Sequence, residues 1–304
     1  MPPTGAGATH NEESEPTVLF LHIGKTAGLT LRKILRRQFP PSRIMVLKGE
    51  PLGSGRLRRE DTIRTLAILP ESERARPRLI MGHMVFGVHE FVPRPSTYIT
   101  LLRNPVSLTV SQYNYVLRTP GHPLHRTAIS RYRTLDDYVR SGVSLETDNS
   151  QTRALAGDTT TPFGECTSRL LDLAKENVEK HFAVVGLAER FDESLIVLRK
   201  AFGWTKLYYV RVNVAPGHYR KDGVPATTLE AIAERNWLDM ELYKWAAERF
   251  EERVASDASF EPALQRFRLE NRVYAPWGHV RYTLPRRLRA RFGRQDPPFD
   301  LSNA

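Results

Sequence analysis

The sequence predicts an α/β protein: a P-loop-like central parallel sheet flanked by helices, with a helix-rich C-terminal half. Three observations predict it. Short unbroken apolar runs have strand length, amphipathic stretches at helical spacing lie between them, and from Thr227 onward the pattern is mostly helical. Strands that alternate with helices pair in parallel, and the crossovers cover the sheet.

Residues 1–16 are rich in Pro, Gly, Glu and Thr without apolar periodicity and read as a disordered tail. Val18 to Ile23 is the first run, of the kind found in a buried parallel strand. A glycine-containing turn leads into Leu31, Ile34, Leu35 and Phe39, which mark one helix face, with Arg32, Lys33, Arg36 and Arg37 on the other. Pro40-Pro41 stops that helix. Arg43 to Leu47 is a second strand, Asp61 to Leu69 a helix, and Leu79 to Met81 a third strand ending at Gly82-His83. Tyr98 to Leu102 is a fourth, followed by Arg103 and then Asn104-Pro105, an N-cap and a first helical position. Phe182 to Gly186 is a fifth, and a helix opens at Asp192 and closes at Gly203. Helical insertions are expected between residues 119 and 181, and a helix from Leu238 to Val254. The division expected is a tail (1–16), one α/β domain (17–255) and a helical, basic C-terminal extension (256–304).

Composition narrows the function. Of 304 residues, 40% are hydrophobic and 26% charged, enough for a core. No apolar run approaches the ~18 residues of a membrane span, and the N-terminus lacks the basic-then-apolar pattern of a signal peptide. The single Cys166 cannot make an internal disulfide or, by itself, a zinc site. A cytoplasmic protein is expected. The formal charge of +11 attracts polyanions without naming one: nucleic acid, anionic lipid, a phosphorylated cofactor and an acidic glycan all qualify. Residues 281–294 carry six arginines and no acid, a solvated basic end or a route to peripheral membrane contact. The aromatic interleaving of a single-strand binder is missing there.

The most informative stretch is His22 to Thr30, which joins the first strand to the first helix. Such a turn offers backbone N–H groups and a helix N-terminus to a phosphate. Lys25 adds a positive charge, Thr26 and Thr30 add hydroxyls, and Gly28 permits close backbone approach. An ordinary strand-to-helix turn with a solvated lysine would read the same way. Gly24-Lys25-Thr26 ends like a nucleotide P-loop, yet the first glycine of Gly-x-x-x-x-Gly-Lys-Ser/Thr is missing because position 19 is Leu. No strand ends in a clear magnesium-holding Asp.

His22-Ile23-x-Lys25-Thr26-Ala27-Gly28-x-Thr30 resembles the 5′-phosphosulfate loop of the PAPS-dependent carbohydrate sulfotransferases, the heparan sulfate 2-O-sulfotransferase type and its soluble bacterial relatives. Members usually read His-Ile-Pro-Lys-Thr-Ala-Gly-Thr-Ser/Thr; here Gly24 replaces Pro and Leu29 a hydroxyl residue. Leu101-Leu102-Arg103-Asn104-Pro105-Val106 with Ser111 resembles the family's 3′-phosphate element, with Asn104 in place of Asp. The resemblance implies that residues 25–30 (Lys25, Thr26, Ala27, Gly28, Leu29, Thr30) hold the 5′ end of 3′-phosphoadenylyl sulfate, and that Arg103 and Ser111 hold its 3′-phosphate.

His83, in a Gly-His element at a strand end, is implied as the base, chosen over His22 and His89. Asn149 to Arg153 and Val185 to Phe191 resemble segments of the bacterial relatives. Gln151 and Arg153 are candidate acceptor contacts, with a solvated helix face the alternative. Arg220 and Lys221 resemble a basic loop that closes over the nucleotide. The implied reaction is sulfuryl transfer to a carbohydrate hydroxyl, with an acidic glycan among the acceptors the charge favours, no metal and no specific nucleic acid. The rival readings are a P-loop small-molecule kinase and a non-catalytic polyanion-binding protein.

Overall fold

The computed structural model describes residues 15–47, 63, 64, 66–210 and 223–291, from 277 on as backbone only. Five parallel strands form one sheet in the order β2-β3-β1-β4-β5: β1 (Thr17–Leu21), β2 (Ile44–Leu47), β3 (Leu79–Gly82), β4 (Ser96–Leu102) and β5 (Phe182–Leu187). Helices flank it. In chain order they are α1 (Gly28–Leu35), α2 (Glu71–Ala75), α3 (Pro105–Arg118), α4 (His125–Ser130), α5 (Leu135–Arg140), α6 (Ser150–Ala156), α7 (Ser168–His181), α8 (Phe191–Phe202), α9 (Ala226–Arg235), α10 (Trp237–Ala255) and α11 (Phe260–Arg291). Residues 63, 64, 66 and 67 are helical too, within the span read as a helix.

Apolar runs become strands where both faces are covered. Every residue of β1 and of β3 is buried, whereas edge strand β2 is buried only at Leu47. The chain steps from β1 outward to β2, returns through β3, then crosses β1 to make β4 and β5. That reversal puts β1 at the topological switch point, where open α/β sheets open a crevice beyond their strands' C-terminal ends. Register aligns the ends: Leu21 pairs with Gly82 on one side and Phe20 with Ile99 on the other. His22 N–H continues the ladder to the Gly82 carbonyl (3.1 Å).

Helix α1 stops at Leu35, four residues short of the apolar periodicity. Arg37 and Gln38 bond back to Ile34 and Leu35 in tightened i+3 turns, and a residue before proline avoids helical backbone, which excludes Phe39. Arg32, on the basic face of the pattern, is in fact buried. It shares the i, i+4, i+7 line of Gly28 and Leu35, the line turned toward the sheet. Gly203 closes α8 with φ 68°, as its place in the sequence predicts. The expected insertions are α4 to α7. A second apolar core joins α3, α4, α5 and α9 through Tyr113, Ala128, Leu135, Tyr138 and Ile232. Phe260, Leu264 and Phe267 of α11 belong to the main core.

Candidate active site

Three strands adjacent in space deliver the predicted residues to one edge. β3 delivers His83, β1 the loop 22–27, and β4 delivers Arg103. The loop and Arg103 touch: Arg103 Nη1 donates to the Lys25 carbonyl at 2.8 Å.

The loop is held in an unusual backbone. Lys25 and Ala27 both adopt left-handed conformations, φ 64° and 63°, which cost a non-glycine residue roughly 1–2 kcal/mol each. Thr26 is buried and its hydroxyl donates to the Ile23 carbonyl (2.9 Å), so it braces the turn from within. Helix α1 then starts with no side-chain cap and no acid in its first turn. Its first N–H groups are left for an outside acceptor, where the helix dipole favours an anion. Leu29 is an exposed apolar residue there and Thr30 is half-buried. Gly28 has a different reason from the one the sequence suggested: a Cβ at that position would lie 1.9 Å from Cδ2 of His22, whose ring fills the space.

The Lys25 ammonium stands 4.3 Å from the Tyr115 ring centroid, with the Arg118 guanidinium 5.9 Å from the same ring. Burial, then Arg118, then Arg103 push the Lys25 amine down to about 8, with Glu146 pulling the other way. Ser107, Ser111 and Tyr115 follow one another at i+4 on α3, so half-buried Ser111 lies one turn from the ring under Lys25. Asn104 caps α3 as predicted, its Oδ1 accepting from Ser107 N–H (3.2 Å).

Arg103 is clamped by Gln151. The Arg103 N–H donates to Gln151 Oε1 (2.8 Å), and Gln151 Nε2 donates back to the Arg103 carbonyl (2.9 Å). Glu189, in the Val185 to Phe191 segment, accepts from Asn104 N–H (3.0 Å) and lies 3.9 Å from Arg103 Nε. Gln151, buried, thus positions the arginine.

Arg153 is spent altogether. Its five N–H donors meet the Asp148 carbonyl (2.9 Å) and carboxylate (2.6 Å), the Asp158 carboxylate (2.6 Å), and the carbonyls of Thr161 (2.8 Å) and Pro162 (3.0 Å). No donor remains for an acceptor molecule, and neither Gln151 nor Arg153 lies on a solvated helix face. Behind them two helices cap each other. Asp239 on α10 accepts from the N–H groups of Gln151 and Thr152 and from the Thr152 hydroxyl, at 3.1, 2.7 and 2.7 Å. Asn149 Oδ1 accepts from the N–H groups of Leu238 and Asp239.

His83 stacks on His22, ring centroids 4.5 Å apart. Burial and the Arg32 charge hold His83 at about 4, with the His22 backbone opposing. His22 is pushed well below its ordinary value, first by burial and then by His83, Arg32 and Lys25. Both rings are therefore neutral at pH 7, and the Nδ1 atom of each is buried with no partner among the described residues. His89 is instead packed among Phe86, Tyr98 and His181, its Nδ1 3.1 Å from the Tyr98 hydroxyl. Arg220 and Lys221 lie outside the described residues. Sequence reasoning missed Arg32, Arg118, Glu146 and Asp239. The i, i+4 relation of Arg32 to Gly28 was the one local signal.

Fold and site define a class: a parallel-sheet protein in which a strand-to-helix loop is bonded to the arginine that ends the neighbouring strand. The family described as Galactose-3-O-sulfotransferase matches residues 1–272, and the chain belongs to it. It is 28% identical over 254 residues to galactose-3-O-sulfotransferase 3 of Bos taurus, covering 79% of this chain and 58% of the relative. It is 24% identical over 270 residues to heparan sulfate 2-O-sulfotransferase 1 of Homo sapiens, covering 80% and 73%. The chain spans a little over half the length of its galactose-3-O-sulfotransferase 3 relatives. These likenesses bear out the carbohydrate sulfotransferase resemblance.

Proposed function

We propose that this chain transfers the sulfuryl group of 3′-phosphoadenylyl sulfate to a carbohydrate hydroxyl by in-line displacement. The observation that carries it is the meeting of Lys25, Arg103 and the uncapped start of α1 at one sheet edge, with a neutral histidine one strand away. The residues fit a multiply charged donor. Two guanidinium groups and an ammonium crowd together with Glu146 opposing, and a bound anion relieves that repulsion.

Lys25 and the first N–H groups of α1 face the charge that grows on the departing phosphate as the sulfur–oxygen bond breaks. One such donor is commonly worth ~10²–10³ in rate. Arg103, locked by Gln151, keeps Nη2 for the 3′-phosphate, which orients the donor. Neutral His83 takes the hydroxyl proton as the acceptor oxygen bonds to sulfur. The chemistry calls for no metal ion. The kinase reading loses ground because Thr26, where a nucleotide P-loop holds magnesium, donates to the backbone instead.

Calorimetry with 3′,5′-bisphosphoadenosine set against ATP with magnesium tests the reading. Preference for the bisphosphate, weakened by Arg103→Met, supports it. Magnesium-dependent ATP binding with no bisphosphate binding refutes it.

A further inference from the structure

Helix α11 (Phe260–Arg291) carries two separate apolar lines. One is docked: Phe260, Leu264 and Phe267 are buried in the main core. Asn271 and Tyr274 carry that side on. Asn271 Oδ1 accepts from Tyr209 N–H (2.7 Å), and the Tyr274 ring centroid lies 4.1 Å from that of Tyr208. The other line faces water, with Leu269 61% and Val273 73% exposed. At 3.6 residues per turn, positions 277 (Trp), 280 (Val) and 284 (Leu) continue it. The five positions fall within an arc of about 80°, turned away from the docked side.

The charge on the helix changes along the same stretch. Glu270 pairs with Arg199 (3.5 Å) and Arg266 (3.1 Å). Residues 271–291 then carry six arginines and no acid. By the same spacing Arg272, Arg281, Arg286 and Arg289 fall outside the apolar arc, and Arg287 and Arg291 close the line at its end.

Single exposed apolar residues need no explanation, but five in one line do. Three occupants compete for this face. A glycan or nucleic acid answers the arginines and leaves the apolar line unused. A second copy of the chain covers the line but sets six arginines against six. A bilayer with anionic headgroups answers both. Pro276 and Pro285 each take a rung from the helix ladder, so its distal half gains more from a supporting surface than an unbroken helix would.

We infer that the distal half of α11 is an amphipathic lipid-docking helix, which seats the chain on an anionic bilayer with the line from Leu269 to Leu284 at the headgroup–acyl boundary. Among the described residues no helix is long and apolar enough to cross a membrane, so α11 lies along the interface rather than through it. A tryptophan at position 277 suits that depth.

Sedimentation of the whole chain with vesicles tests this, using phosphatidylcholine alone and an equal mixture of phosphatidylcholine and phosphatidylglycerol. Preferential binding to the mixed vesicles supports the inference when Val273→Asp and Leu284→Asp each weaken it roughly tenfold or more while heparin binding is unchanged. An unaltered denaturation midpoint in both variants shows that the fold is intact. Quenching of tryptophan fluorescence by bromine-labelled acyl chains, lost in Trp277→Phe, supports it further. Mixed-vesicle binding that both variants keep is charge attraction alone and overturns the inference. So does equal binding to the two vesicles, binding to neither, or self-association without lipid that the same substitutions abolish.

Discussion

Arg103 and Arg153 are both arginines in the chain's candidate site region, and the structure treats them in opposite ways. Arg153 has all five donors answered by two carboxylates and three carbonyls within its own segment. Arg103 has one arm on the Lys25 carbonyl, a distant carboxylate, and Nη2 without a partner among the described residues. The same guanidinium is a structural pin where its donors are spent and keeps a donor open where they are not. Burial and the donor account agree: the Arg153 side chain is 3% exposed with every donor met, that of Arg103 31% exposed with one guanidinium nitrogen unmet.

The sharpest way to break the comparison is Arg153→Met. It strands Asp148 and Asp158 in a buried setting and should cost about 3–5 kcal/mol in chemical denaturation, whereas Arg103→Met, partly solvated, should cost about 1 kcal/mol or less. Equal losses would erase the distinction. Next in size is Lys25→Ala, expected to lower turnover ~10²–10³-fold with little change in the denaturation midpoint. Asp239→Ala leaves three donors at the start of α6 unanswered and should destabilise by about 3 kcal/mol. Because Gln151 stands on that helix turn, bisphosphate affinity should fall in the same variant, and affinity unchanged in folded protein would uncouple the capping pair from the site.

A pH titration gives a gentler effect. Lys25 is charged below about 8 in the free protein, so bisphosphate affinity should hold through neutrality and decline as pH rises past 8. Lys25→Arg, charged throughout, should flatten that decline. The smallest expected effect is Gly24→Ala. Gly24 is not among the positive-φ glycines, and a Cβ there meets nothing closer than 4.0 Å. Stability should rise by about 0.4–1 kcal/mol.

The sheet and the placing of the β1–α1 loop beside Arg103 were legible because they rest on local pattern. Apolar runs of strand length marked all five strands, β2 at Ile44–Leu47 among them, and Asn104-Pro105 announced the cap that starts α3 just after Arg103. What was not legible depends on partners far along the chain. Gln151 meets Arg103 across 48 residues and Asp239 meets Thr152 across 87, so no spacing rule exposes either. Arg32 was misplaced for a related reason: in an amphipathic pattern a cation reads as solvent-facing unless something in the sheet is known to cover it. Gly28 was noticed for the right freedom and the wrong neighbour, since the ring that needs its missing side chain belongs to His22, the residue just after β1.

On the proposed function, the donors that Lys25 and Arg103 leave open among the described residues are met by an adenylate with phosphates at both ends. Calorimetry with 3′,5′-bisphosphoadenosine at pH 8.5, run in two buffers of different ionisation enthalpy, reads that claim directly. Binding accompanied by proton uptake, with the uptake abolished by Lys25→Arg and affinity lowered roughly tenfold or more by Arg103→Met, is the expected result. Binding that takes up no proton and ignores both substitutions would contradict it.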